Sequence, residues 1–320
     1  FYKFIKGFVY NVDMDGKKGE LNIVEVIPII KGVTKNTLSY FSKNKFRVGD
    51  FVKVPLRKGQ AEGIVVGIQS AKSARSEVRR ADFMLKKLVK YKDQYSLSPN
   101  FIEAARTTAN YYATTVGSIL GAMIPKLVLE NPELVDTSNS NFVNDRKSPE
   151  PLLIQMEDND RFREYKSLIR ECFAKKCSVL LCVPTHEDAL RVFDFLSKGI
   201  EKYAFTTTGK SPKELKKTLL AAKSEKHPIV FITTYSYLCF DRDDFETIIF
   251  ERENSRSYRT LSRPFIHIRT FLENFSKISG KRFIMGDSVL SLETLWREKQ
   301  GHYTDLSPLR WIFFKQKTAY

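Results

Sequence analysis

Hydrophobic and polar positions divide the chain into two parts with different periods. Between residues 22 and 69, short β-branched runs are separated by Gly and Pro, as in LNIVEVIPII, TLSYF, FRVGDFVKVPL and GIVVGIQ. Short strands at this spacing predict a small barrel-like or curled sheet. From residue 151 onward, apolar strands such as SVLLCVP and IVFITT alternate with amphipathic helices. That alternation predicts a parallel, doubly wound lobe and an α/β protein overall.

A helical region and a polar stretch lie between these two parts. The segment SPNFIEAARTTANYYATTVGSILGAMIP has apolar residues at helical spacing, and Ser98 ahead of Pro99 is typical of a helix start. Periodicity is lost from 127 to 150, which predicts a linker. The expected organisation is an uncertain N-terminal extension (1–21), a β domain (22–94), a helical region (95–126), the linker (127–150), an α/β lobe (151–303) and a truncated or artefactual tail (304–320).

Net charge is the strongest compositional signal. The chain has 53 Lys and Arg against 37 Asp and Glu, a balance of +16. This excess implies a polyanionic partner, and nucleic acid is the first candidate. Basic residues are dense in AKSARSEVRRADFMLKKLVKYK, residues 71–92. No apolar run approaches the ~20 residues that span a bilayer, and no signal-peptide cleavage pattern is present, so we expect a cytoplasmic protein without a membrane partner.

The cysteines and histidines give no sign of a metal site. The four cysteines form no CxxC pair, and the four histidines are scattered. Buried free thiols are the simplest interpretation of such cysteines. We therefore expect neither a metal nor another cofactor.

The order of these segments resembles the bacterial primosomal protein N′ family, the replication-restart DNA helicases. The most specific pieces are VEVIPIIKGVTKNTLSYF, RVGDFVKVPLRKGQAEGIVVGI, ANYYATTVGSILGAMIP, IIFERENSRSYR and GDSVLSLETL. The resemblance implies a 3′-end DNA-binding domain with a helical extension, followed by a RecA-like helicase lobe. It also implies forked or single-stranded DNA with nascent 3′ ends as a partner, and other replication-restart proteins as further partners.

The family's phosphate loop, of the form GVTGSGKT, falls on QMEDNDRF. Its lysine becomes Arg161 and its hydroxyl residue becomes Phe162, beside the carboxylates of Asp158 and Asp160. In a working loop the lysine contacts the β and γ phosphates and the hydroxyl holds Mg²⁺. The resemblance therefore implies a degenerate nucleotide site.

Other helicase motifs are altered or partly retained. Glu251 falls where a carboxylate holds Mg²⁺, and Glu253 falls at the general-base position. The coupling motif SAT becomes DSV at 287–289. Thr234 and Ser236 match a stretch that contacts the DNA backbone in the family. The resemblance thus implies a helicase lobe that has no catalytic residues but retains contact with DNA.

The resemblance also implies a terminal-nucleotide pocket in the first domain, lined by Leu38, Ser39, Arg57 and Lys86. The family commonly has aspartate at Ser39 and glycine at Arg57, so we expect 3′-end recognition to be less strict here. Tyr40 is more typical of a barrel core than of a base-stacking platform. The complete set of expected DNA-binding residues is Leu38, Ser39, Tyr40, Arg57, Lys58, Arg79, Arg80, Lys86 and Lys87.

Three functions stay open from the sequence. The preferred one is a DNA-binding protein that recognises branched DNA or nascent 3′ ends without ATP-driven unwinding. The second is an active ATP-dependent 3′-to-5′ DNA helicase, represented by a diverged fragment. The third is a protein-interaction scaffold whose basic charge is incidental. The first is favoured because loss of the phosphate clamp removes the main electrostatic stabilisation of phosphoryl transfer.

Overall fold

The computed structural model describes residues 21–30, 36–55, 59–70, 86–88, 93–137 and 149–307. The chain forms two compact units, one of Phe1–Pro28 with Thr37–Gln94, the other of Ile29–Asn36 with Tyr95–Tyr320. The expected extension therefore lies outside the described residues except for Leu21.

The first unit is an antiparallel sheet in which short β-branched runs form the strands. Its four strands follow the order β2-β1-β4-β3. They are β1 (Asn22–Pro28), β2 (Leu38–Ser42), β3 (Phe51–Pro55) and β4 (Gln60–Ser70). Pairing of β1 with β4 shifts register between Glu25 and Val26, an irregularity that bends a strand and increases its twist. The sheet is curled as a half-barrel, which confirms the expected barrel-like domain.

The second unit contains a sheet of seven parallel strands with the order β11-β5-β10-β9-β6-β8-β7. The strands are β5 (Leu152–Gln155), β6 (Ser178–Cys182), β7 (Ala204–Thr206), β8 (Val230–Thr233), β9 (Phe245–Glu251), β10 (Arg282–Asp287) and β11 (Thr304–Asp305). Apolar residues from strands and helices form a buried cluster that includes Val179, Ile232 and Ile249. The predicted parallel α/β lobe is confirmed.

Eight helices of the described chain belong to the second unit. They are α1 (Pro99–Tyr111), α2 (Val116–Met123), α3 (Lys126–Glu130), α4 (Asp158–Ala174), α5 (His186–Leu196), α6 (Pro212–Ser224), α7 (Ile268–Ser279) and α8 (Leu292–Lys299). Helix α1 follows Ser98 with Pro99 at its first turn, as expected. Its Phe101 ring lies 4.9 Å from Phe271 and 5.9 Å from Phe275. The helical region 95–126 therefore shares a core with the α/β lobe.

The predicted linker is wrong for its first residues. Lys126–Glu130 form α3, Pro132–Leu134 form a 3-10 turn, and Val128 and Leu134 are fully buried. Lys216 of α6 donates hydrogen bonds to Asn131 at 2.6 Å and to Glu133 at 2.8 Å. These contacts hold residues 127–137 against the lobe, while 138–148 lie outside the described residues.

The predicted tail also begins too early. Thr304–Asp305 form the edge strand β11, which pairs in parallel with β5, and Thr304 N donates to Pro151 O at 3.0 Å. Residues 308–320 lie outside the described residues. All four cysteines are buried and free, as expected. Where the chain is described, no helix is long and apolar enough to cross a membrane.

Candidate functional site

The loop between β5 and α4 lies where a phosphate-binding loop would lie, but it presents carboxylates. Helix α4 begins after Glu157, and Asp158 and Asp160 occupy its first turn. The N–H groups of a helix N-terminus favour negative charge. Here the chain's own carboxylates occupy the position that an anion would take, so they would repel an incoming phosphate.

Arg161 is the centre of the site. Its side chain is fully buried and forms two parallel hydrogen bonds with Glu251, from Nε to Oε2 at 2.9 Å and from Nη2 to Oε1 at 2.6 Å. Nη2 also donates to Asp158 Oδ1 at 2.7 Å, and Nη1 donates to the Met156 carbonyl. Every nitrogen of the guanidinium therefore has a partner within the chain.

Glu251 is as completely buried as its partner. It accepts a further hydrogen bond from Tyr165 Oη at 2.8 Å, and its own carbonyl accepts from Tyr258 Oη at 2.7 Å. Burial raises the pKa of Glu251 above its ordinary value, while the Arg161 guanidinium opposes that shift. Both carboxylate oxygens are thus occupied by protein donors.

Gly286 in β10 makes room for this cluster. A Cβ added at Gly286 would lie 1.8 Å from Tyr165 Oη and 2.8 Å from Arg161 Cδ. Any side chain there would displace the groups that hold Glu251. The buried ion pair is therefore packed on all sides by residues of β9, β10 and α4.

A second layer of charges covers the buried ion pair. Arg191 on α5 donates to Asp158 Oδ2 at 2.5 Å and to Asp188 Oδ1 at 3.3 Å. Arg252 donates to the same Asp188 oxygen at 2.8 Å. Positive and negative groups alternate from Arg161 outward, which joins α4, α5 and the end of β9.

The general-base position is also engaged. Glu253 is buried and accepts hydrogen bonds from Ser291 N at 2.5 Å and from Arg269 Nη1 at 3.4 Å. Ser291 is the N-cap of α8. Glu253 therefore supports a helix start. In the DSV segment, Asp287 accepts from Asn254 N at 3.0 Å and caps its own turn through Ser288 N at 2.8 Å.

The structure brings together only some of the residues predicted for the nucleotide site. Asp158, Arg161 and Glu251 are in contact. Asp160 instead bonds exposed Arg163 at 2.7 Å, and Phe162 is buried in the core. Sequence reasoning missed Tyr165, Asp188 and Arg191. Tyr165 lies one helical turn after Arg161, and that spacing could have indicated its role.

The two residues expected to contact the DNA backbone lie just after β8. Thr234 is buried, and Ser236 is half-buried within the 3-10 turn Tyr235–Tyr237. Of the two residues, Ser236 is the more accessible.

In the first unit, two predicted DNA-binding segments lie side by side. Phe41 N in β2 donates to Lys86 O at 3.1 Å, and Leu88 N donates to Phe41 O at 2.8 Å. These bonds hold Lys86 and Lys87, whose side chains are exposed, along the edge of β2. Tyr40 is 4% exposed and its hydroxyl donates to Pro55 O at 3.4 Å, so its burial favours the core interpretation.

Glu25 lies beside Ser39, a residue predicted to line the terminal-nucleotide pocket, and sequence reasoning missed it. It lies directly opposite Ser39 in the antiparallel pair of β1 and β2, so both side chains are on one face of the sheet. Alternation places Leu38 on the other face. A Cβ at Gly67 would lie 2.8 Å from Glu25 Oε2, so this glycine leaves room for the carboxylate. Glu25 thus puts a carboxylate beside the serine that stands where the family has aspartate.

Four predicted DNA-binding residues, Arg57, Lys58, Arg79 and Arg80, lie outside the described residues. Of the predicted DNA-binding residues with a positive charge, the structure therefore describes Lys86 and Lys87.

Comparison with known proteins matches both parts of the chain. Residues 25–125 match the family model PriA 3′DNA-binding domain (3′BD). Replication restart protein PriA of Helicobacter pylori strain J99 is 26% identical over 284 residues, which cover 83% of this chain and 44% of the relative. The protein of the same name from strain 26695 is 25% identical with the same coverage. The chain thus spans less than half the length of these curated relatives.

Solved helicase structures are similar at a lower level. The UvsW helicase from bacteriophage T4 has a TM-score of 0.34 and 9% identity, over 75% of this chain and 68% of its own. A DEAD box protein from Methanococcus jannaschii has a TM-score of 0.35 and 14% identity, over 66% of this chain and 54% of its own.

Proposed function

Because this chain belongs to the PriA-like replication-restart family and carries its amino-terminal 3′ DNA-binding domain, we propose that it recognises branched DNA and nascent 3′ ends without ATP-driven unwinding. In this role the second unit serves as a folded platform for other replication-restart proteins. Its nucleotide site is held shut from within.

The observation that carries the proposal is the buried ion pair of Arg161 and Glu251. An ATPase needs a free cation for the phosphates and a free carboxylate for Mg²⁺. Here these two groups bind each other through two hydrogen bonds with no exposure to solvent. To admit a nucleotide, the guanidinium would have to leave a buried carboxylate without a partner, which costs about 3–5 kcal/mol.

The DNA-binding half of the proposal rests on charge and geometry in the first unit. Lys86 and Lys87 are exposed on a segment that is hydrogen-bonded to β2, the strand that carries Ser39. The chain as a whole has a net charge of +16. Exposed lysines on a basic protein favour contact with phosphates, and such contact makes the affinity fall with salt.

Nucleotide binding and DNA binding are tested on one sample. A fluorescent ATP analogue with Mg²⁺ is titrated into the 320-residue chain, and a labelled fork is titrated in parallel. We expect saturable binding of the fork and no saturable binding of the nucleotide up to about 1 mM. A Kd of about 1 mM corresponds to a binding free energy of only about 4 kcal/mol in magnitude. Circular dichroism and a thermal melt of the same sample serve as the control for a folded protein.

Fork-stimulated release of phosphate from ATP is measured on the same sample. A micromolar Kd for the nucleotide, or hydrolysis that depends on the fork, would restore the active-helicase function. Absence of fork binding would remove the DNA-binding half of the proposal by itself.

A further inference from the structure

A groove of about 360 Å³ lies along one edge of the parallel sheet, remote in sequence from the buried ion pair. Its floor is formed by Phe193 of α5, Phe205 of β7 and Ala221 of α6. Both phenylalanine rings are partly accessible. Lys210 and Lys217 lie at its rim. This edge groove therefore combines an apolar floor with positive charge.

The groove is open to a new β-strand. Strand β7 is the last strand in the sheet order, so among the described strands it pairs only with β8. The crossovers from β6 to β7 and from β7 to β8 run in opposite directions across the sheet. Since such crossovers are right-handed, α5 and α6 cover opposite faces. The helices thus flank the edge of β7, and its residues Ala204 and Thr206, although largely buried, line the groove.

The backbone N–H and C=O groups that an added strand would pair with point outward from β7. Thr207 N donates to Ile232 O of β8 at 3.3 Å. Because successive residues of a strand direct their N–H and C=O groups to alternate sides, those of Thr206 face away from β8. A strand edge that lacks a neighbouring strand accepts an extended peptide, whose main chain then continues the ladder.

The two lysines at the rim are not engaged elsewhere. Within the described residues, Lys210 and Lys217 form no hydrogen bond and no ion pair. Glu214, the carboxylate that their charges reach, is held in the capping box of α6, where it accepts from Ser211 N at 2.9 Å. The rim therefore offers two cations to an incoming ligand.

We propose that the edge groove binds an acidic segment of a partner protein as an added strand on β7. Its alternate side chains would place an apolar group over Phe193 and Phe205 and carboxylates beside Lys210 and Lys217. A second copy of this chain fits less well, because its net charge is +16. The free strand edge and apolar floor favour a peptide over a nucleic acid, which offers no complementary main chain.

The test uses the whole chain and a labelled, end-capped peptide of alternating acidic and apolar residues, Glu-Val-Asp-Phe-Asp-Val-Glu. Fluorescence anisotropy should give saturable binding with a Kd of about 10–100 µM. The double variant Lys210→Glu/Lys217→Glu should weaken binding by about tenfold or more. The matched control is Lys213→Glu/Lys226→Glu, which makes the same charge change at exposed positions outside the groove and should alter Kd by less than about twofold.

A second peptide tests the added strand itself. Methylation of alternate backbone amides removes the donors of the ladder and should abolish binding, although it leaves the charge of the side chains unchanged. Thermal melts of each variant confirm that the fold is retained. The proposal is overturned by no saturation up to about 1 mM, by equal weakening in both double variants, or by equal binding of the methylated peptide. It is also overturned if a single-stranded oligonucleotide, and not the peptide, loses affinity in Lys210→Glu/Lys217→Glu.

Discussion

Replacing Arg161 with Met tests whether the buried ion pair holds the second unit together. The change removes both hydrogen bonds to Glu251, at 2.9 and 2.6 Å, and leaves a fully buried carboxylate with only the Tyr165 hydroxyl at 2.8 Å. Breaking a buried pair from one side costs about 3–5 kcal/mol, because the remaining charge has no compensation. Urea unfolding followed by circular dichroism measures this loss in the free energy of unfolding.

The double variant Arg161→Met/Glu251→Gln separates charge from packing. The glutamine side chain has no charge to compensate, and its amide oxygen can still accept from Tyr165. We therefore expect the double variant to lie within about 1–2 kcal/mol of the original protein, which makes the two changes strongly non-additive.

The pH dependence of the free energy of unfolding is an independent test of the buried ion pair. Burial raises the pKa of Glu251 above its ordinary value of 4.5, and loss of the guanidinium must raise that pKa further. A raised pKa means that the folded state holds a proton that the unfolded state has released. The stability of Arg161→Met should therefore fall as pH rises from 4.5 through the pKa of the folded state. The loss in free energy of unfolding that Arg161→Met causes, relative to the original protein, should be smaller at about pH 5 than at about pH 8. The double variant should not show this trend.

Two results would refute this reasoning. A cost below about 1 kcal/mol for Arg161→Met would mean that water or another group compensates Glu251. A double variant less stable than the single one would mean that packing, and not charge, dominates. In either case the site would not be held shut by its own charges, and the buried ion pair would not oppose nucleotide binding.

Three further outcomes are expected from the geometry of the two units. Lys86→Ala/Lys87→Ala should flatten the slope of log K against log salt for fork binding by up to about 2 units, measured by anisotropy, and an unchanged slope would exclude phosphate contacts there. Glu25→Gln should raise the affinity for a fork with a 3′-phosphate, relative to a fork with a 3′-hydroxyl, by about threefold to fivefold in competition binding, because a carboxylate repels phosphate. The control Glu62→Gln should leave this ratio of affinities unchanged. Arg161→Lys, which restores the lysine of the family, should lower stability by about 1–3 kcal/mol without nucleotide binding in the fluorescent titration, because an ammonium cannot form two parallel bonds with a carboxylate.

The sequence predicted the α/β lobe because its strands and helices have distinct and regular periods. It did not predict the packing of residues 127–137, where Val128 and Leu134 are fully buried. Their burial depends on contact with α6, which begins about eighty residues later in the chain. Such contacts leave no regular local period, so a short packed segment of this kind resembles a linker in sequence.

The candidate site shows the same limit at the level of single residues. Comparison of motifs predicts that QMEDNDRF lacks a phosphate clamp, but it does not predict which groups its carboxylates bind. In the structure Asp158 binds Arg161 at 2.7 Å. The partner of Arg161 is 90 residues away in the chain. Parallel strands bring their carboxyl ends to one edge of the sheet, which predicts proximity to Glu251 but not the orientation of the guanidinium.

The buried pair suggests why a lobe without a phosphate clamp keeps the carboxylate at the end of β9. Glu251 has no exposure to solvent, and a buried carboxylate needs a positive partner. In an active site of this architecture the metal and lysine supply that charge. Here Arg161 supplies it from the chain itself, and its planar fork matches both oxygens. Tyr165 and Gly286 then fit the larger side chain. On the proposed function, nucleotide binding would require coordinated changes at these positions, because changing any one of them alone leaves the others fitted to the arginine.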